Sequence, residues 1–203
     1  RPSRVKHPRR VMVIGGGPAG ISVAWQLRQQ AHQVTIYEVA KTLGGKITQV
    51  IPQSRIPQEV VNTEMQRIKE VIPQANLQQP LGAEDIIQLK ADFDFIVIAT
   101  GAQKPRNLLI PGNERTIAAL DFLKAAKKNK AKVGKQVVII GAGNVGCDAA
   151  AEAHRLGARK VTLLDIQEPA SFGKERDAAE AVGAEFMWPV FTREITASAV
   201  KLT

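Results

Sequence analysis

The chain has 203 residues, of which 44% are hydrophobic, so it can bury a substantial core and general disorder is excluded. Its formal charge is +9, from 28 basic and 19 acidic residues. The single cysteine, Cys147, excludes an internal disulfide and a multi-cysteine metal or iron–sulfur site within this chain. Its use of cysteine is typical of a reducing compartment, and we expect a cytoplasmic protein.

The positive charge is concentrated in two short segments. Residues 1–10 hold five basic groups and residues 124–135 hold six lysines, and neither segment contains an acid. The rest of the chain carries 17 basic and 19 acidic residues, so we expect no specific binding to nucleic acid. We interpret residues 1–10 as a basic linker and the lysines as a solvated helix face. Docking to an acidic electron-transfer partner is the alternative for the lysines.

Two segments of the chain repeat one pattern. Residues 11–38 read VMVIGGGPAGISVAWQLRQQAHQVTIYE, and residues 137–165 read VVIIGAGNVGCDAAAEAHRLGARKVTLLD. Each begins with four apolar residues typical of a buried parallel strand, continues through G-x-G-x-x-G into a helical stretch, and ends in a second strand and an acid. The sequence therefore predicts an α/β fold with two Rossmann-like units and parallel sheets. Glycines and a proline interrupt the apolar residues 11–27, which excludes a membrane span there.

The glycine pattern has a chemical purpose as well as a structural one. The first glycine permits a tight strand-to-helix turn, the second lets the backbone approach a pyrophosphate, and the third allows close helix packing. The N–H groups at the helix start then face the phosphates, and the closing acid accepts hydrogen bonds from ribose hydroxyls. That acid, Glu38 or Asp165, follows the first glycine by 23 or 24 residues. The sequence therefore predicts two dinucleotide sites.

Hydrophobic periodicity and turn residues predict the remaining elements. They are a helix at 63–72, a buried strand at 93–99, a helix at 120–132 that ends before Gly134, a helix at 178–182 and a strand around 185–188. The loop at 111–114 is the predicted domain boundary, giving a linker at 1–10, a first domain at 11–113 and a second at 114–203.

The motifs resemble those of the FAD- and NAD(P)-dependent pyridine nucleotide-disulfide oxidoreductase superfamily. The motifs GGGPAG with Glu38, Leu43-Gly44-Gly45, ATGA at 99–102 and GAGNVG at 141–146 stand in the family's order. The segment IPQSRIPQEVVNTEM at 51–65 is more specific and is similar to the small subunit of glutamate synthase and its relatives, including the flavin region of dihydropyrimidine dehydrogenase. The resemblance covers nearly all of residues 10–195.

The resemblance implies FAD in the first domain and NAD(P)H in the second. The residues that would bind FAD are Gly15, Gly17, Pro18, Ala19 and Gly20 at the pyrophosphate, Glu38 at the adenosine ribose, Gly44, Gly45 and Arg55 along the cofactor, and Thr100 and Gly101 beside the flavin. The residues that would bind the nicotinamide dinucleotide are Gly141, Ala142, Gly143, Asn144, Val145, Gly146 and Asp165. We expect no catalytic side chain, because the cofactors carry the chemistry. The three histidines have no metal-ligand spacing, so no metal is expected.

Three departures from the family pattern refine the implied function. The chain has no redox-active C-x-x-C, so electrons would pass to an iron–sulfur cluster or second flavin on another domain or subunit. Asp165-Ile166-Gln167 stands where NADPH-using relatives commonly have paired arginines, which favours NADH, although Lys174 and Arg176 lie nearby in sequence. The chain also stops before the family's C-terminal Gly-Asp motif. We therefore expect both domains to be incomplete and part of a longer protein, and the affinity of this chain alone for FAD to be weak or absent.

Other functions remain open at this stage. One is the flavin and nicotinamide half of a 2,4-dienoyl-CoA reductase-like protein, fused behind an old yellow enzyme barrel. Another, of a different class, is a module that binds dinucleotides without turnover. Cys147 falls in the first turn of the second glycine-rich helix, where a helix N-terminus can activate a thiol. We interpret it instead as a small buried residue.

Overall fold

The computed structural model describes residues 6–105 and 108–203, so residues 1–5 of the predicted linker lie outside it. The chain divides into two compact units. The first comprises Arg1–Gln49 and Gln53–Gln103, and the second comprises Val50–Pro52 and Lys104–Thr203. The loop around Pro111 goes with the second unit because the Ile195 N–H donates to the Pro111 carbonyl oxygen at 2.9 Å.

The first unit is a parallel α/β layer. Its described strands and α-helices are β1 (Arg10–Ile14), α1 (Pro18–Gln29), β2 (Gln33–Glu38), α2 (Lys46–Gln49), α3 (Gln58–Val71), β3 (Ala75–Leu77), α4 (Ala83–Leu89) and β4 (Phe95–Ile98). The strand order is β3-β2-β1-β4, and every neighbouring pair is parallel. Helices α1 and α3 pack on the sheet through Ile21 and Ile68, which join Val13 and Ile36 in the core.

The second unit repeats the first part of this architecture. Its described strands and α-helices are α5 (Ala119–Lys127), β5 (Gln136–Ile140), α6 (Asn144–Arg155), β6 (Lys160–Leu164), α7 (Gly173–Ala181), β7 (Glu185–Met187), β8 (Thr192–Ile195) and β9 (Val200–Leu202). Strands β5-β6-β7 form a parallel sheet in that order, and β8 pairs with β9 in antiparallel fashion. The core of this unit is rich in alanine, with Ala150 and Ala153 of α6 packed on Leu163.

The alternation of β, α and β produces the same strand register in both units. Ile14 pairs with Tyr37 in the first sheet, and Ile140 pairs with Leu164 in the second. The residue after each pair is therefore the first glycine of the fingerprint on one strand and the closing acid on the other. The predicted α/β fold with parallel sheets is confirmed.

The difference in spacing between glycine and acid arises in one short loop. Helices α1 and α6 both contain 12 residues. The loop from helix to second strand is residues 30–32 in the first unit and 156–159 in the second, which is one residue longer. The difference of one residue between the two spacings therefore does not change the pairing at the carboxyl ends of the strands.

Two sequence predictions are wrong in detail. The helix predicted at 120–132 ends at Lys127, because Asn129 adopts a left-handed conformation (φ 54°) and the N–H groups of Asn129 and Lys130 turn back to carbonyl oxygens of the last helical turn. The strand predicted as buried at 93–99 is β4, which pairs only with β1 among the described strands and lies at an edge of its sheet. Its residues Phe95 and Ile98 are accordingly 59% and 72% exposed.

The other predicted elements are confirmed, with longer bounds for the helices. The helix predicted at 63–72 corresponds to α3, which begins directly after Pro57 and ends at Val71. The helix predicted at 178–182 corresponds to α7, which ends at Ala181. The strand predicted around 185–188 is β7. Among the residues that the structure describes, no helix is both long and apolar enough to cross a membrane.

The third fingerprint glycine gives a stability prediction. A Cβ at Gly146 would overlap the carbonyl oxygen of Gly141, so Gly146→Ala should lower the free energy of unfolding by about 1–3 kcal/mol. In the control Gly134→Ala, the new Cβ has only an ordinary contact with Gln136, and we expect a change within about 0.5 kcal/mol. Chemical denaturation measures both values. Equal stability of the two variants would contradict the prediction.

Candidate functional site

The first glycine-rich turn connects β1 to α1 and places the start of the helix at the carboxyl end of the sheet. The Gly15 N–H donates to the Tyr37 carbonyl oxygen at 2.8 Å, which extends the parallel ladder by one residue. A Cβ at Gly20 would overlap the Gly15 carbonyl oxygen, so only glycine fits this contact without a shift. Gly17 precedes the helix and no side chain caps it. The helix start therefore has backbone donors that a phosphate group can use.

Glu38 lies beside this turn, at the end of β2. Its side chain is buried, with Oε2 accepting the Gly16 N–H at 2.6 Å and Oε1 accepting the Ala40 N–H at 2.7 Å. A carboxylate has about four acceptor positions, so roughly two remain after these bonds. Both oxygens can therefore still accept ribose hydroxyls while the backbone holds the carboxylate in place.

The second glycine pair, Gly44-Gly45, packs directly on the fingerprint. The Gly44 N–H donates to the Gly16 carbonyl oxygen at 2.7 Å, and a Cβ at Gly45 would lie 2.8 Å from Gly17 Cα. Leu43 is buried against Gly16, where any side chain at position 16 would collide with it. The structure thus brings together the two glycine motifs that the resemblance assigned to FAD.

The turn after β4 lies at the same edge of the first sheet. A Cβ at Gly15 would overlap the Ala99 carbonyl oxygen, so Thr100 and Gly101 follow directly from a residue in contact with the fingerprint. Gly101 has a positive φ of 70°, which favours glycine at this turn. Lys46 Nζ donates to the Ala102 carbonyl oxygen at 2.9 Å and so links the segment after Gly45 to this turn.

Two further basic residues, Lys46 and Arg55, follow the Gly44-Gly45 pair along the chain. Lys46 was missed by the sequence analysis, although its position directly after Gly-Gly is a signal that it could contact the same ligand. Arg55, which the resemblance assigned to FAD, lies half-buried in the turn before α3. Pro18 and Ala19 form the exposed start of α1.

The second unit has the same arrangement at Asp165. The Gly141 N–H donates to the Leu164 carbonyl oxygen at 2.8 Å, and Asp165 Oδ2 accepts the Ala142 N–H at 2.8 Å. Asp165 Oδ1 accepts the N–H of Ile166 at 2.8 Å and of Gln167 at 3.4 Å. These backbone donors hold the carboxylate beside the turn and leave acceptor capacity for a ribose hydroxyl.

The turn of the second unit is less crowded than that of the first. A Cβ at Gly141 or at Gly143 would meet no atom within 4 Å, and Val145 at the helix start is exposed. The third glycine is tightly packed as before, because a Cβ at Gly146 would overlap the Gly141 carbonyl oxygen. Ala142 stands where the first unit has Gly16, and its methyl group is fully buried.

Residues 166–172 form a loop between Asp165 and the start of α7, and the sequence drew attention only to Ile166 and Gln167 of this loop. The Phe172 N–H at its end donates to Asn144 Oδ1 at 3.0 Å. Asn144 is the first residue of α6, so its side chain holds the loop while its backbone belongs to the helix start. No local sequence signal identifies this contact, because the partners are 28 residues apart.

The cations near Asp165 in sequence have different environments. The Arg176 guanidinium lies over the Phe186 ring, with Cζ 3.7 Å from the ring centroid, and its Nε donates to Glu180 Oε1 at 2.5 Å. Its Nη1 also donates to Ser171 Oγ at 3.4 Å. Arg176 is therefore held by groups of its own unit, whereas Lys174 is exposed in the first turn of α7.

Cys147 is fully buried in α6 and is a free thiol. Burial raises the pKa of the Cys147 thiol, while a hydrogen bond with Ser171 and the charge of Arg176 act in the opposite direction. A thiol whose pKa is raised stays protonated near neutral pH, so its environment favours a packing role over nucleophilic chemistry. Across the described ranges, no group of three or more His, Cys, Asp or Glu is placed to hold a metal ion.

Both turns fit the phosphate and ribose parts of a dinucleotide. In each unit the helix start has no side-chain cap, a glycine without a Cβ precedes it, and a carboxylate is fixed beside the turn. These are the donor and acceptor groups that the pyrophosphate and the ribose hydroxyls require. The residues present are therefore compatible with FAD in the first unit and a nicotinamide dinucleotide in the second.

Comparison with known proteins agrees with this geometry. The chain is 32% identical to the glutamate synthase (NADPH) small chain of Bacillus subtilis, over 92% of this chain and 40% of that protein. It is 34% identical to the NADP(+)-dependent formate dehydrogenase subunit beta of Moorella thermoacetica, over 90% of this chain and 28% of that protein. The chain thus spans two fifths or less of these relatives.

The fold also matches solved structures. A 2-naphthoyl-CoA reductase complex superposes with a TM-score of 0.78 and 24% identity, over 99% of this chain and 31% of that one, which supports the fold alone. The family model described as pyridine nucleotide-disulphide oxidoreductase matches residues 9–188, most of the chain. The chain therefore belongs to the pyridine nucleotide-disulphide oxidoreductase family.

Proposed function

We propose that the chain is the nucleotide-binding part of a flavoprotein oxidoreductase, with FAD in the first unit and a nicotinamide dinucleotide in the second. One observation carries the proposal. In both units the second residue of the fingerprint donates its N–H to the closing acid, from Gly16 to Glu38 and from Ala142 to Asp165. A turn and an acid fixed together in this way can bind a pyrophosphate and its neighbouring ribose at once.

The surroundings of the two turns support this assignment of cofactors. In the first unit, the Gly44-Gly45 segment and the turn after β4 both contact the fingerprint, so a ligand there would be surrounded by three segments. In the second unit, the spaces beside Gly141 and Gly143 are open. A ligand surrounded by three segments suits a cofactor that remains bound, as proposed for FAD.

The protein's contribution to the proposed reaction is binding and orientation. Bound together, the cofactors would supply hydride transfer, in which NADH is oxidised to NAD+ and FAD, with one proton from water, is reduced to FADH2. The helix starts hold the phosphates, and Glu38 and Asp165 fix the riboses. The chain has only one cysteine and therefore no redox-active cysteine pair. We propose that the electrons pass from the reduced flavin to an iron–sulfur or flavin partner. The relatives named above, a small chain and a subunit beta, are by name parts of assemblies.

We propose NADH rather than NADPH as the reductant. A fixed carboxylate at Asp165 would repel a 2′-phosphate and would accept a bond from a free 2′ hydroxyl. Arg176, the nearby residue best suited to bind a phosphate, is already stacked on Phe186 and paired with Glu180. Both curated relatives carry NADPH or NADP(+) in their names, so the preference rests on this chain's own residues.

A pair of alanine substitutions tests which cofactor binds to which unit. Gly17 and Gly143 have extended backbones that alanine can adopt, and a Cβ at either would have no close contact. We expect Gly17→Ala to weaken FAD binding and Gly143→Ala to weaken NADH binding, each by roughly tenfold or more, because the methyl group occupies the space that the pyrophosphate approaches. Calorimetric titration of the chain with each nucleotide gives both affinities.

Each of these variants is the control for the other. Gly17→Ala should leave NADH binding unchanged, and Gly143→Ala should leave FAD binding unchanged. Their melting temperatures without nucleotide should remain near that of the unsubstituted chain. An exchange of the two effects would contradict the assignment of the units, and absence of NADH binding to the unsubstituted chain would contradict the function. In a chain that binds both, NADH should bleach the flavin absorbance, whereas a module without turnover would bind both and leave the flavin oxidised.

A substitution at Asp165 tests the preference for NADH. Asp165→Ser removes the carboxylate, so the ratio of the NADPH dissociation constant to the NADH dissociation constant should fall by roughly tenfold or more. Asp177→Ser is the matched control, because Asp177 is an exposed acid on α7. Titration with both nucleotides gives the ratio. An unchanged ratio in Asp165→Ser would show that this carboxylate does not select the cofactor.

A further inference from the structure

The loop of residues 166–172 is attached at both ends to groups of the second nucleotide site. At its start, Asp165 Oδ1 accepts the N–H groups of Ile166 and Gln167. At its end, the Phe172 N–H donates to Asn144 Oδ1 at 3.0 Å. Asp165 is the residue proposed to contact the ribose, and Asn144 begins the helix proposed to contact the pyrophosphate. The loop therefore connects the two recognition elements of one site.

The end of the loop has additional attachments through Ser171. Ser171 lies close enough to the buried Cys147 thiol to act on its pKa. The Ser171 hydroxyl accepts a bond from Arg176 Nη1 at 3.4 Å, and Arg176 is itself held over the Phe186 ring. Asn144 therefore holds the loop through a backbone N–H, that of Phe172, whereas Ser171 holds it through its own side chain.

We propose that Asn144 is a positioning residue that gives the second unit its discrimination between nicotinamide dinucleotides with and without a 2′-phosphate. The inference rests on the proposed function and adds a second determinant to Asp165. Rejection of a phosphate requires a carboxylate that cannot move away, and the bond from the Phe172 N–H to Asn144 restrains the far end of the loop that follows Asp165. Release would also free the start of α7, where Lys174 is exposed and could approach a phosphate.

The first experiment measures the attachment itself, without nucleotide. In Asn144→Ala, hydrogen–deuterium exchange of the Phe172 amide should become faster, because this amide loses its acceptor. Asn62→Ala is the matched control, since it also removes an asparagine acceptor, that for Gln58 Nε2 on α3. Exchange at Phe172 should be unchanged in the control. Equal exchange at Phe172 in Asn144→Ala and the unsubstituted chain would overturn the inference.

The second experiment measures the discrimination. In Asn144→Ala, we expect the ratio of the NADPH to the NADH dissociation constant to fall by about fivefold, the effect of losing one hydrogen bond. In Asn144→Asp, an acceptor for Phe172 remains, so the ratio and the slow exchange should be kept. Both nucleotides should bind more weakly to this variant, because a new negative charge lies near the pyrophosphate. A merely structural role of Asn144 would change both affinities of the alanine variant equally.

The outcomes separate the inference from the proposed function. Absence of NADH binding to the unsubstituted chain would overturn both. Binding with an unchanged NADPH to NADH ratio in Asn144→Ala would overturn the inference and leave the proposed function in place. A lowered ratio in Asn144→Ala, restored in Asn144→Asp and absent from Asn62→Ala, is the expected result.

Discussion

Both candidate sites depend on one close backbone contact, between the first and third glycines of the fingerprint. Gly20 lies against the Gly15 carbonyl oxygen and Gly146 against that of Gly141, at a separation that excludes a Cβ. This contact brings the start of the helix close to the end of the strand. The backbone between the two glycines then turns so that the N–H of the fingerprint's second residue, Gly16 or Ala142, faces the neighbouring strand. The acid that accepts this N–H is the last residue of β2 in the first unit and the residue directly after β6 in the second.

The acid is within reach because of strand register rather than spacing along the chain. Ile14 pairs with Tyr37 and Ile140 with Leu164, so the next residue on each second strand lies beside the turn. The extra residue in the second copy is absorbed by the loop at 156–159, before the strand begins. Glutamate in one unit and aspartate in the other can both accept the N–H of the turn, because each carboxylate is held by a different second backbone donor. Glu38 extends to Ala40 N–H, whereas the shorter Asp165 accepts N–H groups of the loop that follows it.

The sequence predicted those features that depend on local pattern or on repetition. Both strand–helix–strand units and the placement of Glu38 and Asp165 beside their turns follow from apolar runs, glycine spacing and a terminal acid. The early end of α5 did not follow, because an asparagine in the left-handed conformation at position 129 took the role expected of Gly134. The exposure of β4 depends on which strands pair with it, and the apolar composition of residues 93–99 carries no information on that.

The environment of Arg176 could not be predicted from the sequence either, because it depends on contacts that only the fold creates. Counting charges along the sequence places two cations, the Arg176 guanidinium and the Lys174 ammonium, near Asp165. The fold brings Phe186 of β7 beneath the guanidinium and Glu180 beside it, and both interactions favour its present position. A phosphate would have to compete with them for the same donors, while an exposed ammonium such as Lys174 is screened by solvent. Under the proposed function, the charge that a 2′-phosphate would meet is therefore that of the Asp165 carboxylate, which backbone N–H groups hold beside the turn.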